Sequence, residues 1–378
     1  MKFVLAPDSF KGSLTAKQAC DAIEKGILKV FPDAEVISLP LADGGEGTVE
    51  TLVNATEGKF ITVPVTDPLG NEIDAVYGIL GNSQTAVIEM AAASGLTLIP
   101  EKKQNPLYTT TYGTGELIKH ALDNDCKRII IGIGGSATID GGAGMAQALG
   151  VEFFDEIGKK INTFMSNEKT SIVADISLDN LHPRVKYTSF IVACDVENPL
   201  LGVTGATYVY ARQKGAQKNE LPVLEENMSN FYDIVESKLD KDIRNIPGAG
   251  AAGGLGAGLM AFLNARLEKG IDFVLDTINF KSKIQNATLI FTGEGSIDEQ
   301  TSYGKTISGI LKIAAKQKIP VVALAGSVGN LEKLHSSGLT SAFSICNSPL
   351  NPEIAMERAD ELICQTTEQI CRLIQSKS

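Results

Sequence analysis

The feature that most restricts the fold is a repeated unit: a short apolar run, a loop bearing Gly and acidic residues, then apolar residues at helical spacing. Residues 3–6 (FVLA) read as a buried strand, and Ala19, Ile23, Ile27 and Val30 follow at helical spacing behind a capping box at Thr15–Gln18. A second strand over 35–39 (EVISL) ends at Pro40, and a glycine-rich acidic loop leads to a helix over about 47–55. The same succession returns at 288–292 (TLIFT), 320–325 (PVVALA) and 341–345 (SAFSI), each separated by a helical pattern. Alternation of this kind predicts a parallel sheet covered by helices.

Between these two stretches the pattern changes. Residues 59–90 have strand composition broken by Asp67-Pro68-Leu69-Gly70 and Gly81-Asn82, which predicts antiparallel hairpins. A helix near 114–123, with Thr114 as its N-cap, leads to the buried strand RIIIGIGG, and FIVACD (190–195) is a further strand. Residues 160–186 are polar and irregular, 221–245 are charged and helical, and 254–267 form a helix of small residues. The last helix is predicted to start at Asn351-Pro352, with Ala359, Ile363, Ile370 and Leu373 on one face. The fold class is therefore α/β, in two domains. One is flavodoxin- or Rossmann-like with a parallel sheet, split between 1–60 and 286–378. The other is a mixed-sheet α/β domain inserted over 61–285.

Charge and cysteine usage narrow the function classes. Against 45 Asp+Glu stand 34 Lys+Arg, a net charge of −11 with no basic block, which argues against nucleic acid or a membrane surface as partner. No run of 18 apolar residues is present, and the apolar start turns polar at Asp8, too early for a signal peptide. Six scattered Cys without a C-x-x-C pair suit thiols in a reducing cytoplasm, and three isolated His argue against a His-based metal site or triad. The expectation is a cytoplasmic protein, monomer or homodimer, that acts on small molecules.

The 37 Gly exceed the usual ~7% share and cluster where chemistry could sit. Asp8, Ser9 and Lys11 (PDSFKGS) follow the first strand, and Asp43, Gly44, Gly45 and Glu46 (DGGE) follow the second. Ligands of open α/β sheets bind outside the carboxyl ends of strands; capping of helices by Asp8 and Asp43 is the plainer alternative. GIGGSATIDGGAG (132–144), with Gly134, Gly135 and Ser136, follows a strand and can present backbone N–H groups to an anion. PGAGAAGGLGAG (247–258) holds a G-x-G-x-x-G string behind a poor strand, and close packing through small residues is its alternative. In TGEGSIDEQTSYGKT (292–306), Gly293 and Gly295 flank Glu294; Glu294 and Asp298 can serve Mg²⁺ or hydroxyls, and Lys305 a phosphate. The closing Gly-Lys-Thr is not a P-loop, because Glu299 stands where its first Gly belongs. Asp195 and Asn198 lie just past a buried strand, where an Asx-turn is the alternative, and Arg212 and Lys214 follow as possible partners of a carboxylate or phosphate.

No nucleophile stands beside an activating base. Glycine loops, carboxylates and a few cations are the requirements of phosphoryl transfer, which rests on positioning and charge neutralisation. A phosphatase using Asp8 would need an acid two residues on, and Phe10 stands there. Neither glycine string has the context of a dinucleotide fold, and a non-catalytic small-molecule sensor is the reading from another class.

The chain resembles the bacterial class I glycerate kinases. The resemblance runs nearly end to end and rests on APDSFKGSLTA (6–16), PLADGGEGT (40–48), IGIGGSATIDGGAG (131–144), ACDVENPL…GAT…QKGA (193–216), GAGAAGGLGAG (248–258) and TGEGSIDEQTSYGKT (292–306). It implies ATP-dependent, Mg²⁺-assisted phosphorylation of D-glycerate, with 2-phosphoglycerate the usual product and 3-phosphoglycerate also possible. It further implies two α/β domains, one flavodoxin-like and split in sequence, with the active site between them. From its place just past a strand and beside Asn198, Asp195 is expected to accept or orient the proton of the attacking hydroxyl. Lys11 and Lys305 are expected to neutralise phosphate oxygens. Glu294 and Asp298, with Asp8 or Asp43, are expected to hold Mg²⁺. Arg212, Lys214 or the 132–144 loop would meet the substrate carboxylate.

Overall fold

The computed structural model describes residues 1–42, 44–45, 47–298 and 305–376, the side chain of Lys305 excepted. Among them run β1 (Lys2–Leu5), β2 (Glu35–Ser38), β3 (Lys59–Thr66), β4 (Glu72–Ile79), β5 (Thr85–Glu89), β6 (Arg128–Gly132), β7 (Glu152–Phe154), β8 (Asp175–Ser177), β9 (Ser189–Ala193), β10 (Arg266–Glu268), β11 (Leu289–Ile297), β12 (Val321–Val328) and β13 (Ser341–Ser344). The chain divides into two compact units, Met1–Asp43 with Gly270–Ser378, and Gly44–Lys269.

The first unit holds one sheet in the order β13-β12-β11-β1-β2, with every neighbouring pair parallel. Counted from β2 within the unit, this is the flavodoxin-like order 2-1-3-4-5, whose switch point falls between β1 and β11. Phe3, Val4 and Leu5 are all fully buried, as a strand covered on both faces requires. Helix Ala16–Leu28 opens with the reciprocal Thr15–Gln18 capping box and packs on helix Ala359–Gln375. Gly26 permits that approach: a Cβ there would lie 2.6 Å from the Cys364 carbonyl oxygen. The chain's last helical stretch is two helices, Pro352–Glu357 and Ala359–Gln375, because Arg358 between them leaves helical geometry (φ −104, ψ 15). Leu373 is 60% exposed, and Leu362 and Cys371 complete the buried face instead.

The second unit holds a six-stranded sheet in the order β10-β9-β6-β5-β4-β3. Its β3, β4 and β5 pair antiparallel, as the hairpin signals predict, while β5, β6, β9 and β10 pair parallel. A separate antiparallel pair, β7 with β8, places a strand inside the stretch expected to be irregular. The core gathers Tyr77, Ile88, Leu117, Ile131, Phe153 and Phe231.

The junctions fall at 43/44 and 269/270, earlier in the chain than the expected 60/61 and 285/286. Helix Thr48–Ala55 buries Val49, Leu52 and Val53, and Val53 covers β4 so closely that a Cβ on Gly78 would lie 2.2 Å from its Cγ2. Helix Gly270–Thr277 packs instead on helix Lys305–Gln317, where Ile271 meets Gly309. Two further expectations are corrected. The helix expected from Thr114 spans Tyr112–Asp123, with Thr111 before it; Thr114 is buried within, its Oγ1 donating to Ser94 Oγ (2.8 Å). The small-residue helix spans Ala251–Leu263 with left-handed backbone at Ala252, Gly253 and Gly254, and residues 266–268 leave it to pair with β9. Among the described residues no helix is long and apolar enough to cross a membrane.

Candidate active site

In the first unit the loop after β1 and the extended end of β11 meet beyond the switch point. Asp8 N donates to the Gly293 carbonyl (2.9 Å). Its Oδ1 accepts from Ser9 N (2.6 Å) and its Oδ2 from Thr306 Oγ1 (2.7 Å). A Cβ on Gly295 would lie 3.8 Å from Lys11 N, so the two segments run side by side. Together they open a cavity of ≈ 540 Å³ whose polar side is lined by Asp8, Ser9, Lys11, Glu294, Gly295 and Thr306. Gly293 lies behind it, pressed so tightly on β12 that a Cβ would lie 2.2 Å from the Leu324 carbonyl oxygen. Asp298 is exposed one residue past β11 and is not among the lining residues. Lys305 opens helix Lys305–Gln317; its side chain, like Asp43 and Glu46, lies outside the described residues.

In the second unit the parallel strands end on a common row, Glu89–Gly132–Ala193–Glu268. Glu89 Oε1 accepts from Val49 N (2.8 Å) in the first turn of helix Thr48–Ala55, a favourable place for an acid. Gly44 and Gly45 cross above this row: a Cβ on Gly132 would lie 2.4 Å from the Gly44 carbonyl oxygen. Gly134 and Gly135 are exposed at the tip of the following loop.

That loop does hold an anion, and the anion is its own. Asp140 is fully buried. Its Oδ2 accepts from Thr111 N (2.8 Å), Thr111 Oγ1 (2.7 Å) and Gly144 N (3.1 Å), and its Oδ1 from Gly142 N (3.1 Å). Burial pushes this carboxyl upward, and the hydrogen bonds from Thr111, Gly142 and Gly144 oppose the shift. Lys214, 3% exposed, reaches back more than seventy residues. Its Nζ donates to Ser136 Oγ (3.1 Å) and to the Thr138 carbonyl (2.8 Å). Burial pushes its ammonium down to about 7, against the pull of Asp140. Tyr232 Oη donates to the Gly141 carbonyl (2.8 Å) and completes the clamp.

The other candidates of this unit lie on the segments after β9. Asp195 is half-buried. The amide of Asn198 orders its own loop, Nδ2 donating to the Thr204 carbonyl (2.8 Å) and Oδ1 accepting from Tyr210 Oη (2.7 Å). Arg212 is exposed, two residues before the buried Lys214.

Sequence reasoning passed over Thr306 and Asp140. The signals were present: Thr306 closes the Gly-Lys-Thr string, and Asp140 directly precedes the glycine pair that opens a helix. Among the described residues no three His, Cys, Asp or Glu gather as a metal cage. Asp8 and Glu294 on the cavity wall are nevertheless the hard oxygen donors that suit Mg²⁺, which takes one or two carboxylates and completes its shell with phosphates and water.

Known proteins match this chain along its whole length. The glycerate kinase family model matches residues 3–375. A glycerate kinase of Bacillus subtilis strain 168 is 49% identical over 375 residues, covering 99% of this chain and 98% of that protein. The glycerate 2-kinase of Escherichia coli K12 is 46% identical over 371 residues, covering 98% and 97%. A crystal structure from Salmonella typhimurium LT2, assigned as a glycerate kinase 2, superposes with a TM-score of 0.91 at 43% identity and covers 100% of this chain and 99% of its own. With two parallel-sheet edges bearing the motifs and relatives that match from end to end, this chain belongs to the glycerate kinase family.

Proposed function

We propose that the chain transfers the γ-phosphoryl group of ATP to a hydroxyl of D-glycerate, giving 2-phosphoglycerate. Membership of a kinase family implies ATP as co-substrate. The observation that carries the reading is the cavity at the switch point, where a lysine and two carboxylates face one space in a chain that matches glycerate kinases over its full length.

Phosphoryl transfer asks for positioning and for neutralisation of charge spread over the phosphate oxygens. Lys11 supplies an exposed cation on the cavity wall. Asp8 and Glu294 would hold Mg²⁺, and we assign Glu294 rather than Asp298 because it lines the cavity. The metal, when bound, adds positive charge at the phosphate oxygens. Thr306 holds the Asp8 carboxylate in place through its hydroxyl. Asp195 accepts the proton of the attacking hydroxyl. Arg212, exposed, suits the glycerate carboxylate better than Lys214, whose ammonium is committed to Ser136 and Thr138. Free thiols at all six cysteines suit a reducing cytoplasm.

The test is to incubate the protein with ATP, Mg²⁺ and D-glycerate and follow ADP release and the product by phosphorus NMR. ADP release that depends on D-glycerate supports the reading, and phosphorus–proton coupling separates 2- from 3-phosphoglycerate. No turnover by the folded protein, with other hydroxy acids also inert, overturns it.

A further inference from the structure

We propose that the cavity of the first unit is the adenine-nucleotide subsite, with the base on its apolar wall and the phosphates on its polar wall. The inference rests on the kinase reading and assigns one of its two substrates to a place.

The cavity has two kinds of lining. Phe10, Ile345 and Ala359, each about 97% or more buried, form an apolar floor, and Ala355 and Met356 complete that wall. Asp8, Ser9, Lys11, Glu294 and Thr306 supply polar and charged lining to the same space. At ≈ 540 Å³ the space falls within the roughly 300–1,000 Å³ of small-molecule sites. It lies past the carboxyl end of β1 and beside the last residues of β11, at the switch point where sheets of this order bind their ligands.

Met356 is the telling residue. It remains 42% exposed beside the cavity. Its Cε rests over Gly12, where a Cβ would lie 2.9 Å away. Ser13 Oγ donates to its backbone carbonyl (2.6 Å) and ties helix Pro352–Glu357 to the loop after β1. A thioether held at the wall is an adaptable contact for a flat ring. Glycerate is polar at every carbon and has nothing to set against such a wall, where losing water without compensating bonds is unfavourable. A purine offers two apolar faces, and its triphosphate reaches the polar side.

The chain has no Trp, so Met356→Trp creates a single tryptophan at the wall, which red-edge excitation separates from the eight Tyr. Titration with ADP should change its emission strongly, and titration with D-glycerate should leave it unchanged. In steady-state kinetics, Met356→Glu should raise KM for ATP about tenfold or more and leave KM for D-glycerate unaltered. An emission change or KM rise that follows glycerate instead would make this the acceptor site and overturn the proposal. So would ADP binding to the wild-type protein, seen by calorimetry, that alters neither variant's readout, or no ADP binding at all. If ADP titrates the Met356→Trp signal but the wild-type protein turns over no glycerate, the subsite stands and the glycerate reading fails.

Discussion

At the carboxyl ends of β1 and β11 the charged side chains line a cavity, whereas at the carboxyl end of β6 the anion seated among the backbone amides is the chain's own Asp140. Both edges carry glycines, and both precede helices. The difference lies in where the donors go. In the second unit Thr111, Gly142 and Gly144 spend their N–H groups on one buried carboxylate, and Lys214 spends its ammonium on Ser136 and Thr138. In the first unit Asp8, Lys11 and Glu294 border open space. A glycine loop whose donors serve the chain's own carboxylate, as at Asp140, is a rigid support.

The comparison can be broken most forcefully at Asp140. Asp140→Ala leaves buried N–H donors and a buried ammonium without their carboxylate and should lower stability by about 3–5 kcal/mol in urea unfolding. A loss under about 1 kcal/mol would show that the loop is not built on this group. On the other edge, Lys11→Met should fold normally and lose about 10²–10³-fold in kcat. A change confined to KM would take Lys11 out of the transition state.

Lys214 sharpens the contrast through pH. Its folded pKa of about 7 lies below the ordinary 10.5, so the unfolded chain holds the extra proton between those values. Stability should therefore rise with pH above about 7, by at most ~1.4 kcal/mol per unit, and be insensitive to this group below it. Thermal melts of wild type and Lys214→Met between neutral and mildly alkaline pH should diverge; parallel curves would contradict the burial of a titrating ammonium. The smallest effect is expected at Thr306→Val, which removes the hydroxyl bonded to Asp8 and should cost about 1 kcal/mol in the same urea assay. A cost of several kcal/mol would mean that Asp8 depends on it far more than one bond implies.

Much of the frame was legible in local patterns. The apolar runs at 3–6 and 288–292 announce buried parallel strands, and Thr15–Gln18 announces a helix start, because both depend on neighbours in sequence. The site motifs sit at strand ends for the same reason. What was not legible depends on contacts far apart in the chain. Helix Thr48–Ala55 reads as a continuation of the first β-α units, yet its Val53 belongs against Gly78 in the other unit. Lys214 reads as a free cation, because nothing nearby shows that Ser136 and Thr138 will enclose it. The apolar wall at Ile345 and Met356 carries no motif and appears only when β13 and the C-terminal helices come to lie beside the loop after β1.

Hydrogen exchange of the whole chain, free and with ADP and Mg²⁺, tests this division most directly. The amides of Thr111, Gly142 and Gly144, which serve Asp140, should already exchange slowly without ligand and change little. Residues 8–13 and 294–296, around the cavity, should gain protection when the nucleotide is added. Protection that appears instead at 134–144 on nucleotide binding, with 8–13 unaffected, would contradict the account.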